Sequence, residues 1–273
     1  MKKIVLVFVI LLILAGLGYV AIRFITPMVF SVKEGFSSTL DRELVLSGAD
    51  SIEIYTTLDE CMITGSGDKS RITARLSLTA DLSQKNGEAL AGKDVTFTMN
   101  QRGSRAVIRI EVSPGIIYLL KGTKTYTYAE IHIPAGITVT ANDKKGSLYF
   151  KNLKNNLTIN NRQGDIYVQQ SSGTIAITDQ RDDISIESLS GTLSIKDTAG
   201  AILITGVKGA IDITDTSGPL EIRGVEGNIT IKDTRDLLSL ENVKGDVTLF
   251  VRNRGKVSLK GITGQIIQNP SGP

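Results

Sequence analysis

The chain of 273 residues has one cysteine, one histidine, no tryptophan and six prolines. Each scarcity removes an option. A lone Cys61 cannot close an intrachain disulfide, so stability has to come from a packed core; bridging to a second chain stays open. The single histidine, His132, stands between Ile131 and Ile133 in the polar phase of a predicted strand. That is the place of a surface side chain rather than of a metal ligand or general base. No cysteine directly follows the apolar N-terminal stretch, which excludes a lipid-modified N-terminus.

Excess charge is also nearly absent. The formal +3 resides in Lys2, Lys3 and Arg23, and the remainder carries 28 basic and 28 acidic side chains. The balance hides an uneven distribution. Residues 24–100 carry seven basic against eleven acidic groups, 101–162 ten against three, and 163–273 eleven against fourteen. The basic middle holds Arg102, Arg105, Arg109, Lys121, Lys124, Lys144, Lys145, Lys151, Lys154 and Arg162. Two readings stand: a contact zone for anionic polymers or lipid headgroups, or an ordinary solvated face.

What the chain does have is a repeat. From Gly146 onward, glycine or another turn-forming residue recurs every nine positions, as at Gly164, Gly173, Asp182, Gly191, Gly200 and Gly209. An apolar pair follows two and four residues later, as in Leu148/Phe150, Ile184/Ile186 and Ile211/Ile213. Short alternation punctuated by turns predicts strands with one buried face, and a fixed short period predicts a solenoid. The unit alternates between two endings, so the true period is eighteen residues. One ending centres on Asn152, Ser188, Gly206, Gly224 or Asn242, types suited to a left-handed turn. The other places Asp179, Asp197, Asp215 and Asp233 in a column, once per coil. These aspartates read as turn caps, with cation binding as the alternative. A one-residue slip is expected near Gly255.

The expected fold is all-β: a parallel β-solenoid of eighteen-residue coils behind an irregular β cap and an N-terminal transmembrane helix. Residues 1–23 form the anchor, 24–43 a stem, 44–145 the cap, and 146–273 the repeats. Ile4 to Ile22 is uncharged and just long enough to span a bilayer, and Lys2 and Lys3 favour a cytoplasmic N-terminus. A cleavable signal peptide is the rival reading. Within the cap, Ser83 to Gly92 reads as a polar loop with at most one helical turn.

Chemistry-bearing motifs are sparse. Gly65-Ser66-Gly67-Asp68-Lys69-Ser70 is a broken phosphate loop, and its Ser66-x-x-Lys69 lacks the companion motifs of penicillin-binding sites; a polar hairpin turn accounts for it. Thr158, Ala176, Ser194, Asp212, Thr230 and Thr248 would line a flat outer face that could dock a partner. No residue is assigned as a catalytic, cofactor-binding or metal site, and no cofactor is expected.

Ile131-His132-Ile133-Pro134-Ala135-Gly136-Ile137-Thr138-Val139, Gly164-Asp165-Ile166 and Ser172-Gly173-Thr174-Ile175-Ala176-Ile177 are similar to the entry strand and repeats of a bacterial β-strand-repeat family of unknown function labelled "putative adhesin". The resemblance covers most of residues 44–267. It implies an envelope protein, often anchored by one N-terminal helix and sometimes associated with envelope stress, with no catalytic residues to carry across. The expectation is a non-enzymatic, membrane-anchored binding or scaffold protein of the bacterial cell membrane, with its solenoid outside the cytoplasm. Its partners would be an anionic envelope polymer or another envelope protein, and not nucleic acid. The alternatives are a polysaccharide-acting β-helix enzyme and an end-to-end polymerising solenoid.

Overall fold

The computed structural model describes residues 35–113, 125–232, 237–251 and 257–268. The expected anchor segment Ile4 to Ile22 lies outside these residues, as do Lys121, Lys124, Asp233 and Gly255. Among the described residues no helix is long and apolar enough to cross a membrane.

The chain opens with β1 (Phe36–Val45), β2 (Ser51–Thr56), β3 (Glu60–Ser66), β4 (Arg71–Ala80), α1 (Gln84–Lys93), β5 (Val95–Arg102), β6 (Arg105–Val112), β7 (Thr125–Pro134) and β8 (Thr138–Asp143). The repeats supply β9 (Ser147–Lys151), β10 (Leu157–Asn161), β11 (Ile166–Ser172), β12 (Ile175–Thr178), β13 (Ile184–Ser190), β14 (Leu193–Asp197) and β15 (Ile202–Lys208). They continue with β16 (Ile211–Asp215), β17 (Leu220–Glu226), β18 (Ile229–Lys232), β19 (Leu238–Lys244), β20 (Val247–Phe250), β21 (Val257–Ile262) and β22 (Ile266–Gln268).

Successive repeat strands alternate between two facing sheets, so each coil gives one strand to each. Sheet I runs β1-β4-β7-β3-β9 and then through the odd-numbered strands to β21; sheet II runs from β22 back through the even-numbered strands to β8, then β2-β6-β5. Repeat strands pair in parallel at a register of eighteen residues, as in Ile184↔Ile202 of sheet I and Leu193↔Ile211 of sheet II. At the last coil the offset becomes nineteen, Leu238↔Val257 and Val247↔Ile266, which is the expected slip.

The physical driver is the pleat. Within each short strand alternate side chains face the partner sheet, so a coil such as Ile184, Ile186, Leu189, Leu193 and Ile195 buries all five aliphatics. Each contributes about 1.5–3 kcal/mol by leaving water. Ser188 and Asn242, within sheet I strands, and Asn152, just after β9, take φ of 58°, 57° and 56°, turning the backbone so that the next aliphatic still points inward. At the corners the constraint is closer. A Cβ on Gly200 would lie 1.7 Å from the Asp182 carbonyl oxygen of the preceding coil, so only glycine lets the coils stack there.

The N-terminal third departs from simple stacking. β1, β4 and β5 add antiparallel edges, and α1 packs against β1 and β5. The Ser83 to Gly92 stretch is therefore largely a ten-residue helix, where the polar sequence pattern suggests a loop. Its Gly87 is buried on Phe36: an added Cβ would fall 1.9 Å from that ring. The turn at Ser66–Ser70 is held by Asp68, whose Oδ1 accepts from the Ser70 N–H and hydroxyl, but it is no hairpin, because β7 lies between β3 and β4.

β2 and β3 form a coil of their own, inserted between β6/β7 and β8/β9 and parallel to all four. Both sheets and a single apolar core pass through the 145/146 junction without a break. Cap and solenoid share one interior.

Candidate functional site

The two corners of a coil are chemically different. The corner leading from sheet II to sheet I follows β8, β10, β12, β14 and β16, and each of these strands ends in a buried polar residue or directly precedes one. The column reads Asp143, Asn161, Asp179, Asp197 and Asp215. Thr56 of the inserted coil pairs with Asp143 and extends the column by one place. The sequence reading found the aspartates of the regular repeats and missed Thr56, Asp143 and Asn161, though the last two lie at the same eighteen-residue spacing.

Asp197 and Asp215 cap the turn, as expected. Asp197 Oδ1 accepts from the Ala199 N–H at 3.3 Å, and Asp215 Oδ1 from the Ser217 N–H at 3.0 Å. The Asn161 carboxamide donates to the Gly164 carbonyl. Asp143 and Asp179 are less well served: neither carboxyl oxygen of either residue has a full hydrogen bond. Burial pushes the Asp143 carboxyl up to about 8, although the backbone amides of Lys145 and Lys144 oppose it. Burial, reinforced by the neighbouring Asp197, pushes Asp179 up to about 7. Asp143 is thus held mainly as a neutral acid at neutral pH. Among the described residues no group of three or more His, Cys, Asp or Glu side chains could hold a metal ion.

Directly outside the Asp143–Asp179 stretch, the corner residues are basic. Lys144, Arg162, Gln163, Gln180 and Arg181 line a surface cleft of about 260 Å³. Each lining residue is exposed, and none is acidic. In the next two coils the same positions carry Thr198/Ala199 and Thr216/Ser217, so the basic character is confined to the coils nearest the cap. Lys145, beside the cleft, is 3.5 Å from Asp59, and Lys144 is 3.7 Å from Glu111.

The structure thus sorts the basic middle of the sequence. It brings Lys144 and Arg162 together, sets Lys145 beside them on Asp59, and adds Arg181 from outside that segment. Arg105 and Arg109 instead lie on the outer face of sheet II, paired with Glu53 at 3.1 Å and Glu111 at 2.9 Å. The expected flat face, Thr158, Ala176, Ser194, Asp212, Thr230 and Thr248, forms one outward row of sheet II. His132 lies on the outer face of sheet I, 3.2 Å from Glu130. Cys61 is 1% exposed and burial pushes its thiol up, which removes the intermolecular bridge as an option. A tyrosine pair on sheet I, Tyr149 and Tyr167, stacks at 4.7 Å between ring centroids; the sequence reading did not single it out.

A two-sheet parallel β-solenoid with no assembled catalytic constellation among its described residues defines a structural class before it defines a protein. Residues 49–265 match the Toastrack DUF4097 family, and the chain belongs to it. This agrees with the expected β-strand-repeat family of unknown function labelled "putative adhesin". Similar solved structures include a "putative adhesin" from Bacteroides fragilis, 17% identical, covering 85% of this chain and 97% of that one, with a TM-score of 0.42. Another, from Parabacteroides merdae, is 13% identical over 84% and 96% of the two chains, TM-score 0.31. A "putative lipid binding protein" from Parabacteroides distasonis is 13% identical over 87% and 96%, TM-score 0.26. The search of curated proteins returns no match.

Proposed function

We propose that this chain is a non-catalytic, adhesin-like binding or scaffold protein of the bacterial envelope. Residues 1–23 tether it to the membrane and the solenoid stands outside the cytoplasm, where it contacts an anionic envelope polymer. The observation that carries the reading is the basic corner, where cationic side chains of successive coils line one cleft above the buried, mainly neutral Asp143 carboxyl. The uncharged Ile4 to Ile22 segment behind Lys2 and Lys3 supports the tether.

The test is co-sedimentation of the full chain, solubilised in detergent, with isolated envelopes before and after removal of their anionic polymers, across a salt series. Binding that weakens with salt and disappears with the polymers is the expected outcome. Equal sedimentation with stripped envelopes would transfer the role to a protein partner.

A further inference from the structure

Five described arginines on the sheets are neutralised locally. Arg71 and Arg75 pair with Glu43 and Asp41, Arg105 and Arg109 with Glu53 and Glu111, and Arg223 with Glu221. Among the described residues the other four arginines have no carboxylate partner: Arg42 lies over the Phe97 ring and Arg102 ends β5, whereas Arg162 and Arg181 line the cleft, although Asp165, Asp182 and Asp183 are close in sequence. Those acids are engaged elsewhere. Asp182 accepts from the Gly164 N–H at 2.8 Å, Asp183 from the Ala201 N–H at 2.9 Å, and Asp165 from the Tyr167 hydroxyl at 2.9 Å. The fold commits its nearby acids to other donors and leaves two guanidinium groups facing a cleft.

We infer that the cleft of Lys144, Arg162 and Arg181 is a recognition site for phosphodiester groups of an anionic polymer. This rests on the binding function proposed above and names its ligand chemistry. Two guanidinium forks and the carboxamides of Gln163 and Gln180 line the cleft, together with Lys144, whose ammonium also lies 3.7 Å from Glu111. A carboxylate holds its acceptors in one plane, the geometry of a single bidentate arginine. A phosphodiester shares one negative charge between two non-bridging oxygens set tetrahedrally with its ester oxygens, so donors from two coils can approach it from different directions. The spacing also fits a polymer. Arg162 and Arg181 belong to adjacent coils and are offset by one residue, which sets their backbones about 6 Å apart from the strand spacing and the rise per residue. Successive phosphates of a short-linker polymer repeat on that scale, so each arginine can meet its own group. The neutral Thr198 and Thr216 corners beyond limit the contact to a few repeat units.

The experiment uses the full chain in detergent at low ionic strength, titrated against fluorescent poly(glycerol phosphate) and, separately, against polygalacturonate of matched charge. Tighter binding of the phosphodiester polymer is expected. R162Q combined with R181Q, both at exposed positions and checked by circular dichroism for an unchanged fold, raises its Kd roughly tenfold or more. R105Q, which removes an arginine outside the cleft, leaves it within about twofold. Inorganic phosphate displaces the polymer more effectively than sodium chloride of equal ionic strength. Equal affinity for polygalacturonate, an unchanged Kd in the double variant, or no phosphate advantage over chloride would each overturn the inference. Sedimenting the double variant with envelopes separates the two proposals. Retained sedimentation removes the cleft but leaves the envelope role standing, whereas a wild-type chain that never sediments removes the envelope role itself.

Discussion

At the scale of single residues, the buried carboxyls among the described residues of this solenoid all stand at one corner. Asp179 is 1% exposed, and its carboxyl is raised from 3.8 to about 7 by burial and then by Asp197. The linkage has a definite sign. Between about pH 4 and pH 7 the unfolded chain has lost this proton while the folded chain retains it, so stability falls as pH rises through that window. Asparagine already occupies the same place one coil earlier, where its carboxamide donates to a carbonyl three residues on. D179N is therefore expected to be more stable than wild type at pH 8 by on the order of 2 kcal/mol, and equal to it near pH 4. Urea denaturation at the two pH values measures this; an unchanged difference between them would refute it. Gly200 makes the opposite case. With φ of 140° and a carbonyl oxygen 1.7 Å from the added Cβ, G200A must displace a neighbouring coil. It should cost at least ~2 kcal/mol, read as a lower melting midpoint, whereas G67A, with no atom within 4 Å of its Cβ, should cost far less.

At the scale of elements, the parts legible in the sequence are those whose partners sit one period away. Ile202 meets Ile184 and Leu220, all eighteen residues apart, so the alternation of one strand announces its neighbours. The inserted coil gives no such signal. Ile52 pairs with Ala106 and Val139, and Glu60 with Tyr128 and Ser147, at separations no local pattern encodes. Helix α1 escaped for a different reason: it is polar, carries Gly87 and has its buried side fixed by Phe36, a residue from a distant strand. The basic cleft was half visible. Lys144, Lys145 and Arg162 belong to the basic middle, but stacking, not sequence proximity, recruits Arg181 and diverts Arg105 and Arg109 into ion pairs.

At the scale of the whole molecule, the two ends of the stack are built differently. The N-terminal end is finished by antiparallel β1 and β5 and helix α1, with a small second core of Phe36, Leu78 and Ala80. Among the described residues the far end is lightly covered: β22 has only three residues, and Ile266 and Ile267 are 45% and 48% exposed. Stability in such a stack is nearly a sum over neighbours. Removing residues 257–273 should therefore leave a folded protein with a modestly lower melting midpoint. Removing residues 51–66 should abolish cooperative unfolding by circular dichroism, because four strands lose a parallel partner.

The inserted coil also sets an order of events during folding. Residues 51–66 come early in the chain, yet the strands that flank them extend to Lys151. Until those strands form, β2 and β3 have no place to settle, and the first two coils form together in one concerted step. Afterwards every further eighteen residues add one finished layer onto a surface already in place. These long-range pairings predict a slow closure of the inserted coil followed by a faster layer-by-layer addition of the repeats.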